Sequence, residues 1–220
     1  MQKRIAASIL AADFANLGDD TKNALNAGVD YIHFDVMDHH FVPNLSFGAV
    51  VCQALRQAGI TAPIDVHLMV ENPELYIEPF AKAGANLITF HPETVTSPTN
   101  TIAKIRDSGL QAGIAINPDK LIELPDSALR SLDMILLMSV YPGFGGQAFI
   151  PESIEKIRQV RHKLDKLESN AMLGVDGGVK VDNIGAIAVA GADFFVVGSG
   201  LFNADNYEKR VRQLRDECPQ

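Results

Sequence analysis

The sequence lacks tryptophan, has only two cysteines among 220 residues, and contains no long basic or apolar run. Cys52 and Cys218 are far apart, so no disulfide framework is indicated, and we expect two inert thiols in a reducing, cytoplasmic setting. No apolar stretch approaches the length of a membrane span. The short apolar run after Lys3 and Arg4 faintly resembles a signal peptide, but it closes at Asp13, and we interpret it as a first strand.

The formal charge of −8 argues against nucleic acid or an anionic membrane as the main partner. An anionic substrate would then have to be held by local dipoles or by a metal. With 47% apolar residues, the chain can bury a large core. Its length suits one α/β barrel as well as two small domains, so the order of the predicted elements has to decide.

Strand-like and helix-like segments alternate eight times along the chain. Gly28, Gly59, Gly84 and Gly109 follow the first four helical patterns at intervals of 31, 25 and 25 residues. Without a linker or a shift in composition, this repeat predicts an α/β fold, a single (β/α)8 TIM barrel domain over residues 1–220. An open, doubly wound sheet is the alternative. We predict strands at 4–10, 31–36, 63–69, 86–90, 111–116, 133–140, 171–175 and 193–197, and helices at 16–27, 47–58, 73–83, 98–108, 119–130, 151–167, 181–190 and 206–217.

The strand ends of a barrel converge on one face, where its active site lies. Alternation sets His33 and Asp35 on one side of the second strand, and Asp65 with His67 on one side of the third. Asp176 directly follows the seventh predicted strand. An isolated His-x-Asp is more often a hydrogen-bonded structural pair, but its recurrence favours a shared divalent metal site. Imidazole and carboxylate ligands suit Zn²⁺, Fe²⁺, Mn²⁺ or Co²⁺, and we expect Zn²⁺ or Fe²⁺ first.

Three methionines share these inward faces: Met37, Met69 and Met138. Methionine most often packs in a hydrophobic core, and one interpretation is that these three residues only fill the inside of the barrel. The other is an apolar, non-protic lining that excludes water from a reactive intermediate.

Glycines cluster in three loops, at residues 141–149 (YPGFGGQAF), at Gly177 and Gly178, and at Gly198 and Ser199. Closely set glycines let backbone N–H groups approach an oxyanion without a Cβ in the way. One such loop could be only a tight turn. Three glycine-rich loops on the same rim predict a phosphate-binding site, which barrels commonly form from the loops after strands seven and eight.

A metal beside two carboxylates and a phosphate grip suits a small sugar phosphate whose carbonyl and neighbouring hydroxyl chelate the ion. The metal would acidify the C–H between them and stabilise an enediolate, while one carboxylate removes the proton and the other returns one. If Asp35 and Asp176 lie on opposite faces of that planar intermediate, the product is the epimer.

Motifs at almost every strand end resemble the ribulose-phosphate 3-epimerase family: SILAADF (8–14), HFDVMD (33–38), FVPN (41–44), DVHLMV (65–70), FHPE (90–93), PGFGGQ (142–147), VDGGV (175–179) and VGSGLF (197–202). The resemblance implies interconversion of D-ribulose 5-phosphate and D-xylulose 5-phosphate in the pentose phosphate pathway, with Asp35 and Asp176 as acid/base pair. It implies metal ligation by His33, Asp35, His67 and Asp176. It also implies substrate contacts from Ser8 and His67, and a phosphate grip comprising Gly143, Phe144, Gly145, Gly146, Gly177, Gly178, Gly198 and Ser199.

Five positions depart from the pattern of that family. Gly174 replaces a common Glu, and by alternation it shares the face of Asp176, so its missing side chain could loosen the surroundings of that aspartate. The other departures are Ala7 for Pro, Ala11 for Ser, His39 for Gly or Asn, and Tyr141 for Asn or an acidic residue.

Three alternatives stay open at this point. One is the same chemistry on another ketose phosphate such as D-allulose 6-phosphate. Another is a sugar-phosphate or orotidine-phosphate decarboxylase, although these place Lys where this chain has Met37. The third is a catalytically silent sugar-phosphate-binding barrel. For the epimerase we expect a small-molecule ketose phosphate as partner, no nucleic acid, no membrane, and a homo-oligomer.

Overall fold

The computed structural model describes residues 2–218. Eight parallel strands pair in chain order, and β8 pairs with β1 to close a barrel. The strands are β1 Arg4–Ser8, β2 Tyr31–Met37, β3 Ile64–Met69, β4 Leu87–Phe90, β5 Gln111–Ile116, β6 Met134–Met138, β7 Met172–Asp176 and β8 Phe194–Val197. The predicted (β/α)8 barrel is therefore confirmed, and the open-sheet alternative is wrong. The expected domain bounds of 1–220 include residues 1, 219 and 220, which lie outside the described range.

Helices follow the strands and cover the outside of the barrel. They are α1 Leu17–Asn26, α2 Ala49–Gln57, α3 Glu74–Ala83, α4 Pro98–Asp107, α5 Asp126–Arg130, α6 Ser153–Lys166, α7 Ile184–Val189, α8 Ser199–Phe202 and α9 Tyr207–Asp216. Each of the longer ones buries one apolar stripe against the strands, as Ile77 and Phe80 do on α3. Within residues 2–218, no helix combines the length and the apolar character needed to cross a membrane.

Most predicted bounds differ from the structure by one to three residues, and two larger differences and one additional helix stand out. The first strand ends at Ser8, and a 3₁₀ turn over Ile9–Ala11 replaces its predicted end. The helix predicted at 119–130 is confined to Asp126–Arg130, because Pro125 has no N–H to continue a helix and holds an extended ψ of 147°. The short helix α8, immediately after β8, was not predicted.

The barrel register brings the strand ends with polar side chains side by side. His33 pairs with Asp65, Asp35 with His67, and Met138 with Asp176. Because inward-facing residues on neighbouring strands occupy common layers, these side chains gather at the carboxyl-terminal end of the barrel.

Below that layer, side chains fill the inside of the barrel, and Gly174 belongs to this packing. A Cβ on Gly174 would lie 2.8 Å from Leu136 Cδ1, 3.0 Å from Met134 Sδ and 3.4 Å from Phe194 Cδ1. Neighbouring side chains thus occupy the space that a larger residue would need. Gly174 therefore leaves no open space beside it, and its missing side chain gives Asp176 no room to move.

His39 has a backbone conformation that accounts for the residues expected there. Its φ is 62°, in the left-handed region that glycine and asparagine tolerate best. The position therefore favours Gly or Asn for conformational reasons, and histidine adopts the same turn at some cost in strain. Asp38 stabilises this turn, since its carboxylate accepts hydrogen bonds from the backbone N–H groups of His40 and Phe41 at 2.8 and 3.0 Å.

Candidate metal centre and active site

Four buried or nearly buried side chains from β2, β3 and β7 converge at the mouth of the barrel. They are His33, Asp35, His67 and Asp176, and one ligand atom from each lies within 4.8 Å of all the others. Asp35 Oδ1 is 3.2 Å from both His33 Nε2 and His67 Nδ1. Asp176 Oδ2 is 3.7 Å from the same two nitrogens. Two imidazole nitrogens and two carboxylate oxygens thus face one point.

This donor set fits a divalent metal ion. Both histidines are fully buried, and His33 Nε2 has no hydrogen-bond partner among the described residues. A buried nitrogen without a partner is costly unless a cation or proton occupies the point it faces. Mixed nitrogen and oxygen donors are typical of transition-metal sites in proteins, so the cluster could hold such an ion.

The charges of the cluster attract a cation. Burial alone would lower the pKa of His33, but the carboxylates of Asp35 and Asp65 overcome it and raise that pKa well above its usual value. Burial would raise the pKa of Asp35, yet His33 and His67 hold it well below its usual range. Asp35 is consequently ionised at neutral pH.

A second layer of hydrogen bonds orients these ligands, and most of its members were given no role from the sequence. Asp65 Oδ2 lies 2.7 Å from His33 Nδ1, and Thr89 Oγ1 donates to Asp65 Oδ1 at 3.2 Å. Ser8, predicted to contact substrate, donates from Oγ to Asp35 Oδ2 at 2.8 Å. Alternation had set Asp65 on the same face as His67, but its partner could be found only from the register between β2 and β3.

His91 is another member that sequence reasoning missed. Its Nε2 lies 2.9 Å from Nε2 of His67, and its ring is fully buried. Burial lowers its pKa to about 4, so the ring is neutral at neutral pH. The FHPE motif contained this residue, but nothing in the motif indicated which residue it would contact.

A cavity opens directly above Asp35 and Asp176 and runs to the glycine-rich loops. Met37, Met69 and Met138 line it, and each is at least 96% buried. They give the cavity apolar surface beside the two carboxylates, which line it as well. The structure thus brings the three methionines to the predicted position, with Ser8 beside them.

The predicted phosphate-binding residues all line the same cavity: Gly143, Phe144, Gly145, Gly146, Gly177, Gly178, Gly198 and Ser199. Gly178 has a φ of 64°, and a Cβ there would lie 2.4 Å from the backbone nitrogen of Phe149. Only glycine fits this position without a shift of the loop.

Two amides that were not singled out hold the loop after β6 in place. Gln147 Nε2 donates to the carbonyl oxygens of Tyr141 and Phe144 at 2.7 and 2.8 Å. Asn44 Nδ2 donates to the carbonyl oxygen of Gly143 at 2.7 Å, which ties the loop after β2 to it. The two loops therefore form one connected rim.

Known proteins are similar to this chain over nearly its whole length. The model of the ribulose-phosphate 3 epimerase family matches residues 4–202. The chain belongs to this family. A ribulose-phosphate 3-epimerase of Escherichia coli K12 is 52% identical over 216 residues, covering 98% of this chain and 96% of the relative. The ribulose-phosphate 3-epimerase of Serratia marcescens is 55% identical over 205 residues, covering 93% and 98%.

Solved structures outside the epimerase family share the barrel. KGPDC from Streptococcus mutans superimposes with a TM-score of 0.73 at 14% identity, covering 99% of this chain and 98% of the other. The orotidine 5′-phosphate decarboxylase from Pyrococcus horikoshii OT3 gives 0.70 at 14% identity, covering 97% and 98%. At this identity the likeness shows the fold alone.

Proposed function

We propose that this epimerase-family protein is a metal-dependent ribulose-phosphate 3-epimerase that interconverts D-ribulose 5-phosphate and D-xylulose 5-phosphate in the pentose phosphate pathway. The observation that carries the proposal is the convergence of Asp35 and Asp176, from distant strands, on one ligand cluster below a glycine-rich cavity. Full-length relatives named for this activity support it.

The two carboxylates divide the proton transfers between them. One removes the proton from C3 of the ketose phosphate, and the other returns a proton to the opposite face, which inverts that carbon. His33, Asp35, His67 and Asp176 would hold a divalent ion, which would supply Lewis-acid polarisation of the substrate carbonyl. Ser8 keeps Asp35 oriented through its hydrogen bond to Oδ2. The three methionines exclude water from the reacting carbon.

The phosphate end of the substrate binds at the glycine-rich loops after β6, β7 and β8. Backbone N–H groups there can approach phosphate oxygens closely because Gly177, Gly178 and Gly198 lack a Cβ. This local binding offsets the repulsion between an anionic substrate and a chain of formal charge −8.

The ion in this proposal is Zn²⁺ or Fe²⁺, with Mn²⁺ and Co²⁺ as alternatives, since two imidazoles and two carboxylates suit all four. Elemental analysis of protein purified without added metal tests the identity of the ion.

We further propose one domain over residues 1–220, a homo-oligomer in the cytoplasm, and no nucleic-acid or membrane partner. Size-exclusion chromatography with light scattering tests the oligomer.

The reaction is tested with Asp35→Asn and Asp176→Asn. Each variant should lose epimerisation while still binding inorganic phosphate, because the phosphate loops are unchanged. An active Asp176→Asn enzyme would refute the two-base assignment.

Metal dependence is tested with a chelator, which should abolish activity, and with a divalent ion, which should restore it. Full activity in metal-free protein contradicts metal dependence.

The substrate is tested by comparing kcat/KM on D-ribulose 5-phosphate and D-allulose 6-phosphate. A higher value for the hexose would assign the protein to the alternative reaction. Binding of both without turnover would identify a catalytically silent binding barrel.

A further inference from the structure

His91 is a fully buried histidine that the proposed reaction leaves without a role. It directly follows β4, and the ring of Phe41 packs against it with centroids 4.7 Å apart. On one side, its Nε2 lies 2.9 Å from Nε2 of His67. On the other, its Nδ1 faces Oε1 of Glu93 at 3.8 Å. His91 therefore stands between a metal-cluster histidine and a carboxylate.

The contact between the two rings holds one proton, because two imidazole nitrogens at hydrogen-bond distance need one donor and one acceptor. If the proton is on His67 Nε2, a neutral His67 has a free lone pair on Nδ1, the nitrogen that faces Asp35 and Asp176. If the proton is on His91 Nε2, then His67 must carry its own proton on Nδ1 and cannot ligate a metal there. The tautomer of His91 thus decides whether His67 is a competent ligand.

Glu93 favours the first arrangement. Its carboxylate attracts the proton of His91 to Nδ1, which leaves Nε2 as the acceptor for His67. Asn117 Nδ2 donates to Glu93 Oε1 at 2.8 Å and keeps the carboxylate on this side. His91 Nδ1 has no hydrogen-bond partner among residues 2–218. The partly exposed Glu93 needs to move only about 1 Å to reach hydrogen-bond range.

We infer that His91 is a positioning residue that, together with Glu93, keeps the proton of His67 on Nε2 and so presents Nδ1 to the metal. The inference rests on the proposed metal-dependent function. It assigns the two cluster histidines opposite tautomers: His33 faces the cluster through Nε2 and is held by Asp65, whereas His67 faces it through Nδ1 and is held by His91. The two rings are therefore not interchangeable as ligands.

The first test measures Zn²⁺ and Co²⁺ affinity by competition with a chelator. His91→Phe keeps an aromatic ring but removes the acceptor, and we expect about 10- to 100-fold weaker binding. His91→Gln supplies an oxygen to the same proton and should restore affinity to within about threefold of the wild type. Thermal unfolding of the metal-free variants controls for general damage, which would not be repaired selectively by glutamine.

The second test reads the tautomers directly in the wild type, by ¹⁵N NMR of histidine-labelled, zinc-loaded protein. The expected result is a proton on Nε2 of His67 and on Nδ1 of His91. A proton on Nε2 of His91, or unchanged metal affinity in folded His91→Phe, overturns the inference. If His91→Phe does not fold, Glu93→Gln replaces it and should weaken binding in the same direction.

The proposed metal dependence and the role of His91 can be refuted separately. Wild-type protein that binds no divalent ion at the cluster contradicts the proposed metal-dependent function itself. Wild-type protein that binds one, with His91→Phe and Glu93→Gln binding equally well, contradicts only the role of His91.

Discussion

Replacement of Asp65 by asparagine isolates the effect of one buried charge on the metal centre. Asp65 is fully buried, with Oδ2 2.7 Å from His33 Nδ1 and Oδ1 accepting from Thr89 at 3.2 Å. Asparagine has the same shape, so its carbonyl can still accept from His33 while its amide faces the Thr89 hydroxyl. Asp65→Asn therefore removes charge and preserves packing.

The expected loss follows from the strength of that hydrogen bond. A bond to a charged group contributes about 1–2 kcal/mol more than a neutral one, which corresponds to about 5- to 30-fold in metal affinity. At low pH, a proton competes with the metal for His33, and this competition partly masks the loss of affinity. Asp65 also raises the pKa of His33, so in the variant that pKa is lower and a proton competes less with the metal. The loss should therefore grow as pH rises and be complete above the raised pKa of wild-type His33.

The assay is chelator competition with Zn²⁺ or Co²⁺ at several pH values. Asp193→Asn is the matched control, because Asp193 is also a buried carboxylate but lies at the opposite end of the barrel, where it accepts from Leu173 N at 2.8 Å. Its replacement should leave metal affinity unchanged. Equal affinity of Asp65→Asn and wild type at high pH, or an equal loss in Asp193→Asn, would refute the reasoning.

Two further predictions concern the phosphate loops and the thiols. Gly178→Ala should raise KM and destabilise the fold by at least about 1–2 kcal/mol, because an L-residue at positive φ is strained and its Cβ meets Phe149 N. Gly145→Ala, where a Cβ has open space, should change the stability against denaturant little. An equal loss of stability in both variants would contradict the role given to the Cβ contact at Gly178. Burial raises the pKa of Cys52 to about 11. Its thiol stays protonated at pH 8, so iodoacetamide should label Cys52 only after unfolding. Rapid labelling of Cys52 in the folded protein would contradict its burial.

Periodicity and residue chemistry were sufficient for the barrel and for most of the cluster. The alternation of His33 with Asp35, the glycines after the helices, and the glycine-rich loops are local features, each contained in a short segment. Inward and outward faces of a strand follow from its alternation, and the closed fold then brings the inward strand ends together. Helix limits were less predictable where proline intervened, as at Pro125.

The supporting contacts could not be read from any segment. The bonds of Asp65 to His33, of His91 to His67 and of Asn44 to Gly143 join residues 32, 24 and 99 positions apart. Each depends on the stagger between strands or on the path of a loop. Likewise, Gly174 carries a packing role only because Met134, Leu136 and Phe194 fill its space.

The sequence by itself determined which groups could do chemistry and on which face of each strand they lie, because those properties are set by side-chain identity and a two-residue period. The tertiary structure decided which nitrogen of each histidine faces the cluster and which partner holds the other nitrogen. A register shift of one residue would separate His33 from Asp65 while leaving every sequence motif intact.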